Sequence, residues 1–334
     1  MGGPRASAAS STPPTSSQSP AAAAAAAAGV RAGSTKPLVS LRAVAAALLV
    51  AAVGSAQGQV AGWSPFVSVT AVSQGDSALD GGGSYDARTA IVRVGLLGSL
   101  GGGHRGGVMF NFDHTDYSFA SPAAFGGLAP WTNVRRYGVA APFSFALNDG
   151  WSVGFAPSVD WMHETGADTG ESLTWGAIAT ATWRFGDGNR LGFGFGVFDR
   201  LKETSVFPLL IVDWTLSDRW RLVNPLPAGP TGPAGLELDY RFDGGWNLGL
   251  GAAWRTTRFR LSDSGRVANG IGEERGAPVF LRGTRHFGER ATLNIYAGLV
   301  AASQLRIADS SGKQLHQVDV GRAPLLGATF SARF

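Results

Sequence analysis

The 334-residue sequence contains no cysteine, which excludes disulfides, thiolate metal centres and the acylated cysteine of a lipoprotein. Charge is scarce, at 16% of residues. Residues 1–56 carry no acid at all, and their only charged side chains are Arg5, Arg31, Lys36 and Arg42. Those four cations equal the entire net charge of +4. The rest of the chain is therefore neutral, which excludes a nucleic-acid partner. After residue 56 no run approaches the ~18 consecutive apolar residues of a membrane-spanning helix. Any membrane crossing has to be made by strands.

Glycine and aromatics are plentiful instead, with 48 Gly, 10 Trp and 19 Phe. This mixture suits an all-β membrane protein better than a soluble enzyme. Residues 1–36 are low-complexity Ala, Ser, Pro and Thr, a composition that builds no packed core. They read as a disordered extension or the product of a start site placed too far upstream. Residues 37–56 read as a signal peptide. Lys36 and Arg42 form its basic end, Ala43 to Val53 its apolar stretch, and Gly54 and Ala56 the small residues before a cut at Gln57. Residues 57–334 are then the mature domain.

That domain alternates repeatedly. Tyr137, Val139, Ala141, Phe143, Phe145 and Leu147 share one face, with Gly138, Ala140, Pro142, Ser144 and Ala146 opposite. After the turn signal Asn148-Asp149-Gly150, Trp151, Val153, Phe155, Pro157, Val159 and Trp161 resume the apolar face. Soluble sandwiches alternate too, so length decides. Spans of ten or more residues exceed a globular strand and match the ~9–11 needed to cross a bilayer at a tilt. Tyr137, Trp151, Trp161, Trp175, Trp183, Trp214, Trp246 and Trp254 lie near the ends of these faces, as interfacial girdles require.

The expected strands are 63–73, 88–100, 106–118, 134–147, 151–163, 172–185, 190–199, 204–216, 219–226, 235–242, 246–260, 277–287, 291–302 and 323–334. That is an antiparallel up-and-down β-barrel of about fourteen strands, or twelve if the weak 219–226 and 235–242 are lost. Short connections alternate with longer ones at 74–87, 119–133, 164–171, 227–234, 261–276 and 303–322. Short turns on the periplasmic side and longer loops outside are expected.

Phe207-Pro208-Leu209-Leu210-Ile211-Val212-Asp213-Trp214 and Ser217-Asp218-Arg219-Trp220-Arg221-Leu222 carry a resemblance. Leu236-Glu237-Leu238-Asp239-Tyr240 and Ala308-Asp309-Ser310-Ser311-Gly312 extend it. Together they resemble a family of uncharacterised bacterial outer-membrane barrels catalogued as a domain of unknown function. The resemblance implies a barrel at the outer membrane and brings no activity. The terminal strand, apolar at Leu326, Ala328, Phe330, Ala332 and Phe334, is similar to the insertion signal of such barrels. Phe330 and Phe334 are therefore expected to act in assembly.

Charges on the polar phase are the remaining candidates: Arg93, Asp113, Arg136, Asp160, Arg184, Asp213, Arg221, Glu237, Asp239, Arg241, Arg255 and Arg282. Facing lipid, each would cost ~2–4 kcal/mol near the midplane, so they are expected to line the lumen. Either they pair as a structural network or they line a water-filled pore. Asp113-His114-Thr115-Asp116 and Asp160-Trp161-Met162-His163-Glu164 place carboxylates beside histidine. Adjacent strand residues point to opposite faces, so these read as polar rim residues without a catalytic role. The glycines of Gly192-Phe193-Gly194-Phe195-Gly196 read as inward strand positions rather than a phosphate loop. The acidic loop at Asp76, Asp80 and Asp86 lacks a regular calcium-ligand spacing. No cofactor or metal is expected. The expected partners are outer-membrane lipid, the barrel-assembly machinery and periplasmic chaperones, around a monomer. The leading expectation is passive diffusion of small polar solutes. A closed structural barrel and a barrel hydrolase are the alternatives.

Overall fold

Alternating apolar and polar residues let a strand present one face to an apolar solvent and the other to water. Such strands account for most of the computed structural model, which describes residues 62–225 and 234–334. The segments expected as leader and signal lie outside the described residues. Fourteen antiparallel strands form the sheet: β1 Trp63–Ala78, β2 Ser84–Gly101, β3 His104–Ala120, β4 Asn133–Ala140 continued as Phe143–Ala146, β5 Trp151–Glu164, β6 Leu173–Phe185 and β7 Asn189–Arg200. Then follow β8 Thr204–Thr215, β9 Trp220–Val223, β10 Ala234–Phe242, β11 Trp246–Arg260, β12 Ile271–Phe287, β13 Ala291–Ala308 and β14 Gln314–Val320 continued as Ala323–Arg333. Each pairs with its neighbours in chain order, and β14 returns to β1 from Phe66↔Arg333 to Gln74↔Leu325, closing the barrel. β4 breaks before Pro142, which has no N–H to give the ladder.

Large apolar side chains point outward and stay exposed, among them Phe110, Phe155, Phe193, Leu250, Ile295 and Leu326. A belt of that extent requires lipid around it. Two aromatic rings bound it. Trp151, Trp183, Trp214, Trp220 and Trp246 lie beside the short turns, while Tyr137, Trp161, Trp175 and Trp254 lie toward the long connections. Trp151 and Trp161 are ten residues apart on β5, about 33 Å of strand, which at a ~40° tilt spans ~25 Å of membrane.

Several boundaries differ from expectation. Among the described residues of the expected strand 219–226 only Trp220–Val223 is strand, and much of the expected loops 74–87, 261–276 and 303–322 is strand. The reason is a second solvent. Beyond the outer ring, Arg88, His114 and Asp116 face outward and are exposed or partly so, while Leu79, Tyr85, Phe259, Leu305, Ile307 and Val318 are buried inside. A pattern apolar inside and polar outside runs counter to the membrane pattern and hides the strand continuation. On β1 and β13 bulges make the switch. The β1–β2 register slips between Gln74 and Ser77, and the β12–β13 register between Arg275 and Ala277, where Ala302 on β13 takes φ 49°.

The wall is uneven. β1–β3 and β11–β13 run 15 to 18 residues, whereas β9 has four and β10 nine. Above the short wall, β11 crosses to β5, with Arg260 bridging His163 in parallel. The outer end is therefore a narrower tube than the membrane-spanning part.

Candidate functional site

Inside the membrane-spanning part the charges sit in register-determined pairs. Arg93 on β2 forks onto Asp113 on β3, with Nη2 donating to Oδ2 at 3.2 Å. Arg136 on β4 donates to Asp113 at 3.4 Å and through Nε to Asp160 on β5 at 2.7 Å. The carboxylate of Asp160 lies over Gly138, where a Cβ would collide with it. On the opposite wall Asp213 accepts from Arg190 at 2.8 Å and from Arg221 Nε at 2.7 Å. Glu237 lies across Gly249 to accept from Arg282 Nε at 2.8 Å, with Asp239 4.0 Å from the same guanidinium. Arg184 and Arg241 are exposed near the short turns and join no ion pair among the described residues.

Some partners in these networks were not singled out in the sequence: Arg190, Glu273, Glu274 and Arg258. Arg255 lies 3.5 Å from Glu274 and donates to Gln74 Oε1 at 2.6 Å. Tyr85 and Tyr117 donate their hydroxyls to the two oxygens of Glu274 at 3.1 and 2.8 Å. Both tyrosines lie outward of the lipid belt, level with Arg88 and Asp116. Burial first, then the charge of Glu274, holds both phenols well above their ordinary pKa, so they remain donors. On the outer face of the same strands Glu273 accepts from Arg258 at 2.7 Å and Arg306 at 3.2 Å.

Above this network the tube is filled with apolar side chains. Trp131, 1% exposed, packs edge-on against Phe259, Tyr117 and Phe119 at ring distances of 5.2, 5.9 and 5.9 Å. The connection between β3 and β4 supplies Trp131 and Phe125 by folding inward through a 3₁₀ turn at Ala123–Phe125. Glu164 holds it, accepting from the Thr132 N–H at 2.9 Å and the Ser262 N–H at 3.0 Å. Arg266 donates to the Phe125 carbonyl, and His316 contacts the Ala124 carbonyl at 2.6 Å. The outer end thus carries an aromatic stopper.

Of the cavities in the interior below it, two lie against the charged pairs. One of about 460 Å³ lies toward the short turns, against Asp213, Arg221, Asp239, Arg282 and Thr292. The other, about 440 Å³, lies directly under the stopper, against Arg93, Asp113, Arg136 and Arg255. Beside it the β8 wall has no strand partner among the described residues beyond Asp213–Thr215, where β9 pairs with it. Asn224 spans the break: its Nδ2 donates to the carbonyls of Leu210 at 2.9 Å and Gly235 at 3.0 Å, and its Oδ1 accepts from Val212 N–H at 2.8 Å.

His114 contacts Asp116 at 3.2 Å on the outer surface, away from Asp113. His163 contacts the Glu164 carbonyl at 2.9 Å, while Asp160 turns to Arg136. Strand alternation separates each His from the carboxylate of the interior. Among the described residues no three His, Asp or Glu side chains converge as metal ligands.

A family model described as a domain of unknown function (DUF6268) matches residues 144–332, more than half of the chain. No curated protein matches. Among solved structures, the COG4313 outer membrane channel from Pseudomonas putida F1 is similar at 10% identity and TM-score 0.46, covering 83% of this chain and 97% of its own. The P. putida toluene transporter TodX follows at 11% and 0.40, covering 85% and 92%. The translocator domain of the autotransporter NalP from Neisseria meningitidis has 11% and 0.31, covering 86% and 94%. The fold itself rests on the strand pairing described above.

Proposed function

We propose that this chain, which belongs to the DUF6268 family, is an outer-membrane channel for small polar solutes, stoppered at its outer end. The observation that carries the reading is the interior itself. Its charged pairs and its 440 and 460 Å³ cavities occupy the membrane-spanning height, and only the outer end is filled by an apolar core. A barrel of this strand number has room for a lumen. In this reading the twelve charges singled out in the sequence line that lumen, ten of them in contact with a charged or polar partner at the wall and Arg184 and Arg241 exposed at its inner mouth. Phe330, on the outward phase, and Phe334, whose N–H donates to the Pro65 carbonyl at 3.0 Å, serve the assembly machinery rather than transport. Deleting Phe334 then lowers folded barrel in the outer membrane without blocking export.

Planar-bilayer recording tests the channel. Wild-type protein should pass little steady current, and Trp131→Ala, with Phe125→Ala added, should open a stepwise conductance. A closed structural barrel is the second reading, favoured by the buried pair of Glu237 with Arg282 and the half-buried pair of Arg93 with Asp113. Silence from the stopper variants, while still folded, would establish that alternative.

A further inference from the structure

The cavity beneath the stopper has two unlike halves. Six arginines line it, Arg93, Arg136, Arg200, Arg255, Arg258 and Arg275, against four carboxylates, Asp113, Glu203, Glu273 and Glu274. Most of these cations are paired. Asp113 takes Arg93 and Arg136, Glu274 takes Arg255, and Glu273 takes Arg258 and Arg275. Arg200 differs. It is partly buried at the end of β7, its guanidinium lies 4.9 Å from the Phe198 ring centroid, and it forms no ion pair among the described residues. The turn after it, through Leu201 and Lys202 at φ 48° and 72°, is a two-residue hairpin closed by backbone hydrogen bonds between Arg200 and Glu203.

The other half is apolar and belongs to the interrupted wall. Val206 and Trp254, on the outward phase and 68% and 47% exposed, line the same cavity as Phe207 and Arg255 on the inward phase. The cavity therefore reaches from the arginine cluster to the lipid-facing side of β8 and β11. Arg258 closes the top of this seam with a 2.7 Å ion pair to Glu203, and Asn224 closes the bottom.

We infer that this cavity binds a small amphiphile with a single anionic head, the head on Arg200 and the apolar tail along Val206, Phe207 and Trp254. A surplus of positive charge attracts the anion, and a planar guanidinium suits a carboxylate-like group. The apolar walls make a free hydrophilic anion a poor occupant, and the arginines do the same for a cationic amphiphile. A volume of about 440 Å³ falls in the range of small-molecule pockets. The site does not depend on the lumen conducting.

Equilibrium dialysis of radiolabelled octanoate against the full chain in nonionic detergent, with protein-free micelles subtracted, tests it. Octanoate should bind saturably, and Arg200→Gln should weaken it by at least about tenfold, as loss of a charge-assisted bond implies. Arg200→Lys should restore part of the affinity. Octylammonium and acetate should compete far less well than unlabelled octanoate. Val206→Asn, which adds no charge to the lipid-facing side, should weaken octanoate without reducing heat-modifiable folding, and it carries the test if Arg200→Gln fails to fold. Absence of saturable binding, or octylammonium or acetate competing as well as octanoate, would overturn the site. So would unchanged affinity in the folded Arg200 and Val206 variants.

Discussion

Below the level of Arg88 and Asp116 the barrel is polar inside and apolar outside. Above it the same strands are apolar inside and largely polar outside. The two regions share strands, twist and hydrogen bonding, and differ in the solvent that surrounds them. Lipid supports outward Phe and Leu and forces charge inward, where it must be paired. Water outside reverses the demand, and the interior becomes an ordinary apolar core. One sheet can obey both rules because β2 and β3 keep their phase and change residue type along the inward face, while bulges at Gln74/Ser77 and Arg275/Ala277 re-phase β1 and β13 at the boundary.

The largest effect that separates the regions should come from the core of the outer tube. Trp131→Ala should cost about 3–5 kcal/mol of local stability, read as protease sensitivity of the outer strands while the membrane barrel stays folded. Trp175→Ala, at 59% exposure in the outer ring, should cost far less. Charge reverses the comparison. Leu250→Arg, facing lipid, should cost ~2–4 kcal/mol in a refolding titration, whereas Asp116→Arg in the outer tube should stay within about 0.5 kcal/mol. A smaller gain is expected at the boundary itself. Ala302→Gly relieves the positive φ and should stabilise by up to about 1 kcal/mol.

The subtlest test is spectroscopic. The folded state favours the neutral phenols of Tyr85 and Tyr117, since their pKa is raised. Their contribution is full below the ordinary tyrosine pKa of ~10 and is lost as pH rises through the raised values. An absorbance titration of wild-type protein should leave Tyr85 and Tyr117 un-ionised until unfolding. Glu274→Gln should let them ionise earlier, because the second cause of the shift is then gone.

How much of this was legible beforehand follows the same division. The membrane belt imposes a strict alternation, so strand number, girdle tryptophans and the short connections could be read from residues such as Trp151, Trp183 and Trp246. Outside the belt, Leu305, Ile307 and Val318 sit where the phase has shifted, and their strands read as loops. That these charges fall on the polar phase could be read from the sequence, but their partners could not. Whether Asp113 meets Arg93 or Arg136, or Glu237 reaches past β11 to Arg282, depends on register and on glycines such as Gly138 and Gly249. Arg200 and Asn224 gave no periodic signal, since each acts where pairing stops.

A chain without cysteine makes the central claim directly measurable. Thr292, beside the inner cavity, replaced by cysteine gives a single thiol inside the lumen below the stopper. A membrane-impermeant maleimide should label Thr292→Cys when supplied from the periplasmic side and leave it unlabelled from outside intact cells. Adding Trp131→Ala should then admit the reagent from outside. Equal labelling from both sides in the otherwise unaltered barrel would contradict a polar lumen closed by an apolar outer core.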